Sequence, residues 1–133
     1  MTMIPARTIC ATVAILAMLA TSADAAPRAI DGDTIVIDGE TIRVANIDTP
    51  EIRHAQCDAE LRLGQVAKRR VAELIGAGTI TIIRGDNGRM TDKYGRSLGR
   101  VLVDGRDVGE MLVAEGLARR WDGRRHPWCA NAP

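Results

Sequence analysis

Residues 29–48 read AIDGDTIVIDGETIRVANID, and the rest of the fold can be worked outward from them. Two β-branched runs flank Asp38-Gly39, a dipeptide suited to the tight turn of a hairpin, and so predict two paired antiparallel strands. In a hairpin the start of one strand lies beside the end of its partner. Asp31 and Asp33 stand before the first run, and Asp48 and Glu51 follow the second. Four carboxylates are therefore expected at one edge of the sheet. Asp-Gly is turn chemistry wherever it occurs, so DGDT also admits a purely structural explanation.

Downstream, CDAELRLGQVAKRRVAELIGAG (57–78) repeats Leu63, Ala67, Val71, Leu74 and Ile75 at helical spacing, with Asp58 as the expected N-cap and Gly76 as the terminator. TITIIRG (79–85) is an expected strand, DNGRMTDKYGR (86–96) a polar loop, and SLGRVLVDGR (97–106) a further strand ending in another Asp-Gly turn. Asp107 and Glu110 resemble a capping box before a short helix, MLVAEGLA, closed by Gly116. The tail from Arg120 has no period and is expected to lie as coil against the domain. Short strands interrupted by one amphipathic helix, with no βαβ alternation, predict a mixed α+β fold, mainly β: a small barrel with packed helices. Phe is absent, so the core must be Ile, Val, Leu and Met. Tyr94, Trp121 and Trp128 are the three aromatics, which leaves little for base stacking on aromatic platforms.

At 133 residues, 46% apolar and 26% charged, the chain has the composition of one small globular domain, neither disordered nor fibrous. A formal charge of +1 supplies no general basic field, so a polyanionic partner would have to meet a local patch. Residues 1–25 carry a single Arg7, an apolar run from Ile9 to Ala20 and an Ala23-Asp24-Ala25 box. That pattern has the anatomy of a cleavable secretory signal, too short to span a bilayer, with an uncleaved anchor as the alternative, and it predicts a secreted or periplasmic domain over 26–133. Cys10 would leave with the signal. Cys57 and Cys129 remain, and in an oxidising compartment the pair suggests a disulfide, with two independent thiols as the alternative.

Clustered carboxylates repel one another unless a cation joins them, and hard oxygens suit calcium or magnesium. The Thr49 carbonyl, exposed where Pro50 stops the ladder, offers a further oxygen. Arg43 sits within a strand of apolar and small residues. Strict alternation puts it on the opposite face from Asp48, so their meeting requires a bulge or strong twist near Ala45-Asn46. Arg96 falls at the start of a later strand. Either arginine could simply be solvated, but two guanidiniums beside a carboxylate-held cation suit an anionic phosphorus centre. Lys68–Arg70, Arg119–Arg120 and Arg124–Arg125 are expected as solvated faces, with contact to phosphates as the alternative. His54 and His126 stand alone, without zinc spacing.

DGDT, IRVANIDTPE, TDKYGRSLGRVLVDG and VGEMLVAEGLAR occur in this order, and together they resemble the staphylococcal nuclease (thermonuclease) family over about Ala29 to Arg119. The resemblance implies a five-stranded OB-fold β-barrel with two to three packed helices. It also implies a calcium-dependent phosphodiesterase that cleaves DNA and RNA to 3′-phosphate ends, expected here as a monomer. Carried over by motif, Asp33 and Asp48 would be the calcium carboxylates and the Thr49 carbonyl a third ligand, with Asp31 outside them. Glu51 would orient or deprotonate the attacking water, Arg43 and Arg96 would grip the scissile phosphate, and Lys93 and Tyr94 would contact the nucleotide. The chain departs from the best-known member in a shorter first hairpin, in IRHAQCDAELRLG replacing a lysine-rich loop, in Trp121-Asp122 where that member has a stacking tyrosine, and in lacking its long C-terminal helix. The rival expectations are a catalytically silent nucleic-acid-binding OB-fold module and an exported calcium-binding structural domain.

Overall fold

The computed structural model describes residues 25–130, so the expected signal segment lies outside the described residues apart from Ala25. The elements in chain order are β1 (Arg28–Asp31), β2 (Thr34–Ile37), β3 (Glu40–Val44), β4 (Ile47–Asp48), α1 (Asp58–Ile75), β5 (Ile80–Arg84), β6 (Ser97–Val103), β7 (Arg106–Asp107), α2 (Val108–Ala114) and β8 (Arg119–Arg120). The main sheet has the order β1-β2-β3-β6-β5, with β7 beside β6. Its β3–β6 pair is parallel and its other pairs are antiparallel. The mixed, mainly β class and the OB-like path of five strands are as expected. Among the described residues β1 and β5 share no ladder, so hydrogen bonding leaves the sheet open.

The hairpin turn follows from its dipeptide. Asp38 and Gly39 both take positive φ, 50° and 78°, which a two-residue turn with the right twist demands. The pairing runs from Ile37↔Glu40 to Thr34↔Arg43. The run before it is not a single strand, however. It breaks at Gly32-Asp33 and folds back, pairing Ala29 with Ile35, so DGDT is itself a turn between β1 and β2. Asp33 thereby lands at the mouth of the hairpin, where its carbonyl accepts from the Val44 amide at 2.9 Å.

Ile35, Ile42, Val44, Val101 and, from the helices, Val71 and Leu112 are fully buried. The core is Ile, Val, Leu and Ala. Methionine, expected there, is not in it: Met90 lies exposed in the polar loop and Met111 only packs against the core's edge. The β-branched strand residues already fill the narrow space between sheet and α1.

α1 is capped one residue earlier than expected. Cys57, extended at φ −157°, is the N-cap, and its sulfur accepts from the Glu60 amide. The Glu60 carboxylate turns back to accept from the Gln56 amide at 2.7 Å, one residue before the cap, so the arrangement resembles a capping box, with sulfur in place of a hydroxyl, shifted by one residue. Asp58 instead sits in the first turn, where its charge complements the helix dipole. At α2 only half of the expected box forms. Asp107 accepts from the Glu110 amide at 3.0 Å, while the Glu110 side chain goes to Arg120.

The tail is not coil throughout. β8 pairs with β4, Asp48 opposite Arg119, because β4 has left the main sheet and its edge is open. Beyond it, Cys129 is bonded to Cys57 across a sequence separation of 72. A cross-link closing a loop of that length restricts the unfolded chain by about 4 kcal/mol. Reduction, or Cys129→Ser, is therefore expected to lower Tm by more than about 10 °C in a calorimetric scan. An unchanged Tm would mean that the bridge does not form.

Candidate active site

β3 stops at Val44, Ala45–Asn46 make a turn, and β4 departs into a separate two-stranded sheet with β8. The expected bulge is thus a complete strand break, and it puts Arg43 and Asp48 on the same side. Arg43 laces the break together. Its Nη1 donates to the carbonyls of Val44 and Ile47, the latter at 3.0 Å, and its Nη2 lies 3.1 Å from Asp33 Oδ2 and 4.0 Å from Asp48 Oδ1. With 11% of its side chain exposed, Arg43 is no solvated guanidinium. Asp33 Oδ2 also accepts from the Thr49 amide at 3.1 Å, and Asp31 Oδ1 accepts from the Asp33 amide at 3.2 Å. Burial pushes the Asp33 carboxyl up to about 6; Arg43 opposes that shift and Asp31 adds to it.

The turn carrying Thr49, Pro50 and Glu51 is clamped by two close approaches that only glycine permits. A Cβ on Gly32 would lie 2.8 Å from the Thr49 side chain, and one on Gly64 of α1 would lie 2.8 Å from the Pro50 carbonyl. Glu60, buried at the start of α1, accepts from the Glu51 amide at 3.1 Å. Thr49 and Pro50 are buried, while the Glu51 side chain remains 25% exposed.

Asp48 Oδ2 accepts from Trp128 Nε1 at 3.3 Å, but Asp48 Oδ1 is buried with no hydrogen-bond partner among the described residues. Its charge is met by the guanidiniums of Arg43 at 4.0 Å and Arg125 at 3.9 Å without a hydrogen bond, and a buried carboxylate oxygen left so is costly. Asp33 and Asp48, which share the Arg43 guanidinium, supply two hard-oxygen donors of the kind calcium or magnesium takes, though the acids at this edge form no three-residue ligand cluster among the described residues. Elsewhere, Glu60 lies close to Cys57 and Cys129, but those sulfurs are bonded to each other and offer no thiolate. His54 and His126, distant in sequence, line one cavity with Glu51. They join no three-residue metal cluster among the described residues, and His126 pairs with Asp122 at 2.7 Å.

Arg96 reaches this edge through the parallel pairing, which sets Arg43 beside Leu98 at the start of β6. Its Nη1 donates to Thr34 Oγ1 at 3.2 Å and its Nε to Asp92 Oδ2 at 2.6 Å. Burial would raise the Asp92 carboxyl, but the hydrogen bonds from Arg96 and from the Arg96 and Tyr94 amides hold it below the usual range. Two cavities meet here. One, of about 550 Å³, contains Asp48, Glu51 and both histidines. The other, of about 430 Å³, contains Arg43, Lys93, Arg96 and Trp121. Tyr94 and Arg125 line both. Tyr94 stands well out in solvent, with Lys93 Nζ 5.0 Å from its ring centroid.

The profile described as staphylococcal nuclease homologue matches residues 41–128 of this chain. The chain belongs to that family. Among its curated relatives, endonuclease YncB of Bacillus subtilis (strain 168) is 43% identical over 96 residues, which cover 69% of this chain and 44% of that protein. The SPbeta prophage-derived endonuclease YokF of the same organism is 42% identical over 96 residues, covering 69% of this chain and 32% of YokF. Succinoglycan biosynthesis protein ExoI of Rhizobium meliloti (strain 1021) is 34% identical over 121 residues, 84% of this chain and 62% of ExoI. The chain thus spans a third to somewhat under two thirds of the length of these relatives.

Within this staphylococcal nuclease-like domain, Asp33, Arg43, Asp48 and Thr49 gather in one knot, with half-buried Asp31 at its edge. Glu51 opens on one adjoining cavity, and Arg96, Lys93 and Tyr94 border the other. Three participants were missed in the sequence. Glu60 holds the Glu51 backbone, and its signal was present in the Cys57-x-x-Glu60 spacing. Trp128 meets Asp48. Arg125, expected as a solvated charge, pairs with Glu51 Oε1 and lies 3.9 Å from Asp48 Oδ1. Nothing periodic in the tail announces either of the last two.

Proposed function

We propose that this domain is a calcium-dependent nuclease that hydrolyses phosphodiester bonds in DNA and RNA to 3′-phosphate ends, acting as a secreted or periplasmic monomer. The observation that carries the reading is the buried knot of Asp33, Asp48 and Arg43, with its unpartnered Asp48 oxygen, at the foot of a cleft walled by Glu51 and Arg96. The endonuclease relatives support it.

Asp33, Asp48 and the Thr49 carbonyl would hold the calcium, which when bound offsets phosphate charge and carries a water. Glu51, tethered through its amide to Glu60, accepts the proton of the attacking water. Arg43 is already fixed by two carbonyls and Asp33, so its guanidinium needs no reorganisation as charge builds on the phosphoryl oxygens. Arg96 trades Asp92 for the phosphate and supplies the second fork. The bond to the 5′ oxygen breaks, which leaves the phosphate on the 3′ side. One observation favours a silent nucleic-acid-binding module instead: Glu51 and Arg96 are each already paired, with Arg125 and Asp92.

The test is cleavage of single-stranded DNA and of RNA by residues 26–133 with calcium, with magnesium and with chelator. Calcium-dependent cleavage leaving 3′-phosphates, abolished by chelator, is expected. No cleavage, with calcium still raising Tm, would favour the binding module. Amino-terminal sequencing of exported protein is expected to begin at Ala26.

A further inference from the structure

Resting on the nuclease reading, we propose that Arg125 is a third substrate arginine, which grips a polynucleotide phosphate neighbouring the scissile one and is presented to the cleft by the Cys57–Cys129 disulfide. Arg125 and Tyr94 are the two residues common to both cavities. A strand lying across Glu51 and reaching Arg43 and Arg96 would run alongside both. The Arg125 guanidinium faces Glu51 and Asp48. A cation on Asp48 would take over that neutralising role and leave the guanidinium to a phosphate oxygen. Its side chain is 54% exposed on a long tether, so the exchange needs only rotamer changes.

What holds Arg125 there is not the sheet, which ends at Arg120. Four contacts fix the segment beyond: the Cys57–Cys129 bond, Trp128 Nε1 on Asp48, the Arg119 guanidinium 3.8 Å over the Trp128 ring, and Arg119 Nη1 on the Pro127 carbonyl at 2.8 Å. Arg125 lies between the ladder and this anchor. Its ligand is a single-stranded polyanion with more than one phosphate. The disulfide acts through position alone.

The experiment compares the oxidised protein with Arg125→Ala and Arg125→Lys, after melts show all three folded. It measures KM and kcat on a single-stranded oligonucleotide with calcium at several salt concentrations, and equilibrium binding of an oligonucleotide with uncleavable linkages. Loss of one charge-assisted phosphate contact is expected to raise KM and Kd about 10-fold with little change in kcat. It should also flatten the log–log salt dependence by about one phosphate's worth, a slope of roughly 0.7 for a single strand. Arg125→Lys should restore the slope and part of the affinity. Reducing the disulfide in the wild type should raise KM in the same direction, with little further effect in Arg125→Ala. A raised kcat at unchanged KM in Arg125→Ala would overturn the proposal and make Arg125 a block on Glu51. Unchanged KM, Kd and slope in an active enzyme would overturn it as well. Failure of the wild type to bind either nucleic acid would sink the nuclease reading itself, and this proposal with it.

Discussion

Arg96→Ala is expected to reduce turnover of single-stranded DNA about 10³–10⁵-fold, the usual worth of a transition-state arginine, in a protein that still folds. The arginine is 30% exposed, and its removal takes one hydrogen bond each from Asp92 Oδ2 and Thr34 Oγ1. Asp92 keeps the Tyr94 and Arg96 amides, both at 2.9 Å, so the loop retains its turn. Arg43→Ala offers no such separation. It would strip the guanidinium from buried Asp33 and from the Val44 and Ile47 carbonyls, and breaking a buried pair costs roughly 3–5 kcal/mol. Lost activity in that variant could therefore be lost fold. The check is kcat with calcium beside a thermal melt of the same Arg96→Ala sample. Near-normal turnover with a normal melt would remove Arg96 from the chemistry. Arg96→Lys should recover only part of the loss, because a point charge cannot match two phosphoryl oxygens at once.

The elements governed by local chemistry were legible in the sequence. Asp38-Gly39 demanded its turn, and the 3.6-residue pattern from Leu63 to Ile75 demanded its helix. The carboxylates were legible too, because a hairpin necessarily sets Asp33 beside the chain leading to Asp48. What was not legible arises from tertiary pairing. The parallel contact of β3 with β6 has no local signature, yet it carries Arg96 to Thr34. Alternation along an unbroken β3 put Arg43 on the wrong face. The strand ends at Val44 because Arg43, folded back over its own chain, serves the carbonyls that a continued ladder would have used. In the tail the two cysteines could be paired on paper. The six residues between β8 and Pro127 could not be placed, since a cross-link fixes an end point and not a path.

Glu51→Gln is expected to lower turnover about 10²–10⁴-fold, the range for loss of a positioned general base, with Tm nearly unchanged. The substitution keeps the shape and the backbone tether, since Glu60 binds the Glu51 amide and not its side chain. It removes one carboxylate oxygen's charge beside Arg125, and that pair is open to solvent, where such pairs contribute little to stability. The residues proposed to hold calcium, Asp33, Asp48 and Thr49, are untouched, so calcium is expected to raise the Tm of the variant and of the wild type alike. That combination separates two roles that a simple loss of activity would confuse. If Glu51 serves the water, Glu51→Gln loses turnover and keeps its calcium-induced rise in Tm. If Glu51 is instead a direct ligand, the rise in Tm shrinks along with the rate, and excess calcium restores part of the activity. Full turnover in Glu51→Gln would leave the proton without an acceptor at this position, and another base lining the cavity, such as His54 or His126, would have to take it.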